Sequence, residues 1–377
     1  MTAYKEISAR GVAIWLDDLS RAALDPTCDI ALARDIEQRN VVGVTTNPSI
    51  FAKALADGEA YAADIADVLA AGETSSTEDV ALALMVNDVQ QACDIMRPIY
   101  DATSGRDGRV SIEVDPRLAH DTAATIEQAR MLYHLVDREN LLVKIPATNE
   151  GLPAITEAIS EGISINVTLI FSTDCYRAVM GAYIDGLHAA ARNGLDLSRI
   201  HSVASLFVSR TDSFIDPQLD ELAAKGNQKA AAVRGETGLA IARQCYAAFE
   251  ETFAQPRFTE LADANVQRPL WASTGVKDKT FAATKYVEGL IAPDTVNTMP
   301  RATLEAVGAL TGIPEDTVRP NVEHARKVLN TLEKIGIDLD AAYAQLESEG
   351  VTKFEDAWDE LLKVVESGIA DARGGKV

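Results

Sequence analysis

Eight short apolar runs, with longer helical stretches between them, constrain the fold of this chain more than any other feature. They are VAIWLDD from Val12, VVGVTT from Val41, VSIEVDP from Val110, LLVKIP from Leu141, ISINVTLI from Ile163, IHSVASLF from Ile200, PLWAST from Pro269 and TVNTMP from Thr295. They are rich in β-branched residues and show little polar alternation, as expected of parallel strands covered on both faces. The stretches between them, such as TAATIEQARMLYHLVDREN and TDCYRAVMGAYIDGLHAAARNG, have helical period, and the second ends on Asn193-Gly194, a C-cap signal. Strand and helix alternating eight times imply an α/β fold of the (β/α)8 TIM-barrel kind.

The gap between the second and third runs has room for two helices, about 50–70 and 77–97, before the turn SGRDGR. About four further helical segments and a polar tail, ARGGKV, follow the eighth run. No low-complexity linker or repeat separates them. The expectation is therefore one domain over residues 1–377, with about 301–377 as a helical extension packed on the barrel. The stretch IDLDAAY…GVTKFEDAWDELLKVVES is amphipathic and acidic, and reads as a solvated face.

Charge and cysteine usage narrow the function. A net charge of −22 repels nucleic acid and anionic lipid, so neither is an expected partner. An anionic substrate would need cations built into its site. The four cysteines are scattered without CxxC spacing, no run of 18 apolar residues occurs, and no signal segment opens the chain. These features fit a cytoplasmic protein with reduced thiols, either a monomer or a homodimer.

In a barrel of this kind chemistry is built at the C-terminal ends of the strands. The polar groups there are Asp17 and Asp18, Thr45 to Asn47, Glu113 and Asp115, Lys144, Asn166 and Thr168, Ser205 with Arg210, Ser273 and Thr274 with Lys277, and Asn297 with Thr298. Taken singly, most such residues cap or turn. Lys144 is different, because a lysine inside an apolar strand needs a partner or a use. Alternation puts Leu142, Lys144 and Pro146 on one face and Val143 and Ile145 on the other, so Lys144 points into the barrel if the β-branched pair faces the helices.

No P-loop, dinucleotide fingerprint or GxSxG elbow is present, and His120, His134, His188, His201 and His324 lack metal-ligand spacing. His201, at the start of a strand, reads as a satisfied core residue. No cofactor or metal is called for. A buried lysine then points to Schiff-base chemistry on a carbonyl substrate. Only about 1 in 2,500 unperturbed lysines is neutral at pH 7, and an apolar strand favours the neutral, nucleophilic form.

Five motifs, GVTTNPSIF (43–51), VSIEVDPRLAHD (110–121), LLVKIPAT (141–148), INVTLIFS (165–172) and SLFVSR (205–210), resemble the transaldolase family, over about Val12 to Pro300. The resemblance implies a transferase that moves a dihydroxyacetone unit between sugar phosphates in the pentose phosphate pathway. Its substrates would be sedoheptulose 7-phosphate or fructose 6-phosphate as donor, and glyceraldehyde 3-phosphate or erythrose 4-phosphate as acceptor. It assigns Lys144 as the Schiff-base lysine and Asp17 as the acid/base. Glu113 would act through a water that Thr168 helps to hold. Asn47 and Asn166 would bind sugar hydroxyls, and Ser205 and Arg210 would contact substrate and phosphate. The family often has a second phosphate-binding Arg after strand seven; WASTGVKD offers Ser273 and Lys277 instead.

Overall fold

The computed structural model describes residues 2–72 and 76–374. The end of the polar tail, 375–377, lies outside them. Eight parallel strands close in chain order: β1 (Val12–Leu16), β2 (Val41–Val44), β3 (Arg109–Glu113), β4 (Leu141–Pro146), β5 (Ile165–Ile170), β6 (Ser202–Phe207), β7 (Gln267–Ala272) and β8 (Thr295–Met299). β1 pairs with both β2 and β8, which closes the ring. The fold is a (β/α)8 barrel.

Alternation sorts each strand into two faces. In β1, Val12, Ile14 and Leu16 join the core between barrel and helices, while Ala13 and Trp15 fill the barrel interior. In β4, Val143 and Ile145 face the helices and Leu142 faces inward, which puts Lys144 inside as expected. Trp15 accounts for a small residue on the neighbouring strand. A Cβ at Gly43 would lie 2.5 Å from the indole, so only glycine leaves room for it.

The long connection after β2 carries three helices rather than two: Pro48–Leu55, Gly58–Ala71 and Thr77–Ala102. The helix after β5 runs Thr173–Arg192, with Asn193 as C-cap and Gly194 at φ +75°. After β8 come helices Arg301–Val307, Val322–Lys334 and Leu339–Gly374, with a 3-10 turn at Arg319–Asn321.

The last helix has 36 residues, so it is roughly 54 Å long. Apart from the adjacent Gly350 and Val351, its buried residues recur every three or four positions: Leu346, Gly350, Val351, Phe354, Trp358, Leu361, Val365 and Ile369. Leu346, Val351 and Phe354 pack with Leu169, Phe171 and Phe207 from the ends of β5 and β6, and Trp358 to Ile369 join the outer core. Where the helix crosses β5, a Cβ on Gly350 would stand 3.0 Å from Leu169. One face of this acidic segment is solvated, as its composition predicts. The opposite face roofs the C-terminal mouth of the barrel.

Candidate active site

A cavity of about 170 Å³ opens at that mouth, walled by Asp17, Asn47, Lys144, Arg210, Ser273 and Phe354 among others. Lys144 is 4% exposed. Its Nζ donates 3.0 Å bonds to Glu113 Oε2 and to the Thr46 carbonyl. The strand register explains the pair, because Glu113 and Lys144 are direct neighbours across β3 and β4. Glu113 lies behind Lys144, off the cavity wall. Burial holds its carboxyl above the usual carboxylate range, and the Lys144 charge opposes that rise.

Asp17 lies at the end of β1 on the face of Ala13 and Trp15. Its Oδ1 accepts a 2.7 Å bond from Thr45 Oγ1, which sits 2.6 Å from Thr298 Oγ1. The single Thr45 hydroxyl proton goes to the carboxylate, so Thr298 must donate to Thr45. The result is a directed chain, Thr298 to Thr45 to Asp17. Burial also raises the Asp17 carboxyl, against the pull of Lys144 and the Thr45 bond. Asp18 instead pairs with Arg301 at 3.2 Å, so the two adjacent acids are separated by environment.

Asn47 serves two ends at once. Its Oδ1 caps the helix Pro48–Leu55 by accepting from Ile50 N at 3.0 Å, and its side chain lines the cavity. Thr168 also lines the cavity, and its Oγ1 is buried without a hydrogen-bond partner. The next residue, Leu169, has φ +60°, and the β5–β6 register shifts between Val167 and Ile170. For a bulky residue that conformation costs about 1–2 kcal/mol, and it lies beside the site.

Asn166 does not reach the cavity wall. It is fully buried, with Nδ2 donating to Ser111 Oγ at 3.0 Å and Oδ1 accepting from Ser205 Oγ at 2.7 Å. Ser205 does line the cavity. Asn166 therefore orients Ser205 through Oδ1 and uses one of its two Nδ2 protons on Ser111.

Arg210, on the helix Val208–Ala224, packs its guanidinium 4.9 Å from the Phe207 ring and 5.6 Å from that of Phe354. Its Nη1 is buried and unpartnered. Ser273, at φ +53°, stands 2.9 Å from Ser209 Oγ, and exposed Lys277 borders the same cavity. The cavity continues outward past Lys53, Tyr61 and Arg301. Arg301 is already committed to Asp18 and Asp35.

Seven wall residues are absent from the sequence-derived set of site residues, Thr45, Thr298 and Phe354 among them. Thr45 and Thr298 were visible as strand-end polar groups, but only the three-dimensional register links them to Asp17. Phe354, 5.5 Å from Lys144 Nζ, comes from the last helix, and no local signal marked it.

The arrangement is an amine hydrogen-bonded to a carboxylate, a second carboxylate facing it, and a cationic outer end. It suits imine chemistry on an anionic carbonyl compound. Comparison with known proteins agrees. The family described as Transaldolase/Fructose-6-phosphate aldolase matches residues 14–365. Transaldolase 2 of Streptomyces avermitilis is 54% identical over 367 residues, covering 97% of this chain and 96% of that protein. The transaldolase of Thermobifida fusca is 53% identical over 368 residues (97% and 98%), and that of Mycolicibacterium smegmatis 51% over 369 (97% and 97%). The chain belongs to the transaldolase/fructose-6-phosphate aldolase family.

Proposed function

We propose that this protein is a transaldolase of the pentose phosphate pathway, acting in the cytoplasm through an imine on Lys144. The observation that carries the reading is the buried Lys144–Glu113 pair opening onto a cavity that also holds Asp17 and Arg210.

Imine formation first requires the amine to lose a proton, and Glu113 is the acceptor in contact with it. The carboxyl is raised by burial, which brings it closer to what a proton carrier needs near neutral pH. Lys144 then attacks the ketone carbon of a ketose phosphate. The carbinolamine expels its oxygen as water, with the proton supplied from Glu113 through a water held by the unpartnered Thr168 hydroxyl. Asp17 takes the proton of the C4 hydroxyl, the C3–C4 bond breaks, and an aldose phosphate leaves. The electrons of that bond move into the imine, leaving an enamine of dihydroxyacetone on Lys144. The enamine adds to a second aldehyde, Asp17 returns the proton, and water releases the new ketose. Asn47 and Ser205 hold sugar hydroxyls, Asn166 fixes Ser205, and Arg210, Ser273 and Lys277 receive the phosphate. Arg suits that end because its planar fork matches phosphate oxygens.

The family also includes aldolases, which release dihydroxyacetone instead of transferring it. One assay separates the two. With fructose 6-phosphate alone a transaldolase stalls at the enamine, and erythrose 4-phosphate should start turnover. Steady release of free dihydroxyacetone without acceptor would assign the aldolase. Borohydride with the donor ketose should leave a three-carbon adduct on Lys144, and Lys144→Arg should fold but neither trap nor transfer, since guanidinium does not deprotonate. A label on Lys53 or Lys277 would overturn the mechanism.

A further inference from the structure

The opposite pole of the barrel holds a second chamber, of about 320 Å³, that shares no wall residue with the first. Its inner wall is Trp15, Leu142 and Val203, the apolar layer that separates the two. Its remaining character is basic. Arg109 and Arg268 stand on the inward faces of β3 and β7, His201 just precedes β6, and Arg106 lies at the rim. In a chain of net charge −22, a concentration of cations at one place calls for a cause.

The ion pairs do not balance there. Arg268 pairs with Asp107 at 2.8 Å, and Arg106 with Asp294 at 2.5 Å. Among the described residues, Arg109, 1% exposed, has no carboxylate partner. Its Nε and Nη1 reach only the backbone carbonyls of Gly105 (2.7 Å) and Glu139 (3.2 Å), and its guanidinium lies 4.9 Å from the Tyr100 ring. Among the described residues its Nη2 is buried with no partner, and so is Trp15 Nε1, which lies against Gly43. A buried charge with an unused donor is costly unless something answers it.

The unused donor has a definite neighbourhood. A Cβ at Gly105, a residue at φ +81°, would stand 3.3 Å from Arg109 Nη2 and 3.2 Å from His201 Nε2, so the two nitrogens converge on one spot. Burial, with Arg109 and Arg268 alongside, pushes the His201 imidazole down to about 2, so it is neutral at physiological pH. Arg109, pushed down by burial to about 10, stays charged. The chamber thus presents one uncompensated cation with an idle donor, and Arg268 alongside.

We propose that this chamber binds a small oxyanion, a phosphate or carboxylate group, with Arg109 as its donor and Arg268 and His201 around it. The group sits far from the imine chemistry and takes no part in it.

The His201 imidazole is the local reporter. Inorganic phosphate, acetate and fructose 6-phosphate are titrated separately into the full-length protein at constant ionic strength, while the His201 ring resonances are followed by NMR. A bound anion offsets the Arg109 and Arg268 charges, so the resonances shift saturably and the ring protonates at higher pH. Sodium chloride should not reproduce this. Arg109→Met should abolish the response and leave kcat/KM for fructose 6-phosphate unchanged, whereas Arg210→Ala should retain it. A response to phosphate alone identifies free phosphate, one shared with fructose 6-phosphate identifies phosphate esters, and one to acetate identifies carboxylates. No response to any of the three, or one lost in Arg210→Ala and kept in Arg109→Met, overturns the proposal. If Arg109→Met fails to fold, the thermal midpoint of Arg210→Ala decides: the responding anion must raise it relative to chloride, and an unchanged midpoint rejects the site.

Discussion

Asp17 and Lys144 show how one cavity can hold groups with separate tasks. Asp17 meets Lys144 across the cavity without bonding to it, and its bound proton donor is Thr45. Asp17→Asn should therefore still trap the donor as an imine while carbon–carbon cleavage falls about 10²–10⁴-fold, the usual worth of a general acid–base group. If Asp18→Asn does more damage, the assignment of the two acids is reversed. The pH profile gives a finer test. Asp17 works as a base only when ionised, and burial raises its carboxyl, so the acid limb of kcat/KM should lie above the ordinary Asp value near 4. The Thr45 bond lowers that carboxyl. Removing it in Thr45→Val should move the limb to higher pH, and a limb that stays in place would mean another group sets it. Arg210→Ala should raise KM for phosphorylated substrates far more than for unphosphorylated analogues; equal losses would make Arg210 a packing residue.

Among the elements, the last helix is the one whose position was least legible. The eight strands could be read because both their faces are covered, which leaves apolar runs that stand out from polar turns. Reading failed where inward positions are polar. β3 starts at Arg109 and β7 at Gln267-Arg268, one or more residues before the apolar runs begin, because Arg109 and Arg268 point into the basic chamber. Lys144, Asp17 and Glu113 were legible because alternation fixes which way a strand residue faces. Asn166 has the same inward direction, but its amide is hydrogen-bonded to Ser111 and Ser205 behind the cavity wall, and only coordinates reveal that. Helical period in the C-terminal segment identifies a buried face without saying what buries it. Phe354, 3% exposed, is the consequence. Phe354→Ala should cost about 3–5 kcal/mol of stability and open the site to water. Phe354→Leu should recover most of the stability but less of the activity, because the ring also lies against Arg210 and Lys144. Equal recovery of both would limit Phe354 to filling space.

At the scale of the whole molecule, we propose that barrel and C-terminal helices unfold as one unit, since the last helix contributes to the same apolar clusters as the strands. The three tryptophans allow a test, because Trp15 and Trp271 lie in β1 and β7 and Trp358 in the last helix. Versions that each retain only one should show coincident urea midpoints; an earlier transition at Trp358 would make the extension a separate unit. The roofing helix also has a consequence in time. The chain is synthesised from its N-terminus, so the nucleophile emerges well before the aromatic ring that covers it. At ordinary elongation rates of about 5–20 residues per second, the interval between Lys144 and Phe354 takes roughly ten to forty seconds. Through that period a nascent barrel would carry an uncovered amine and a ring of exposed Leu169, Phe171 and Phe207. Its window for meeting chaperones, or for side reactions with cellular aldehydes, closes only once Phe354 has emerged and docked.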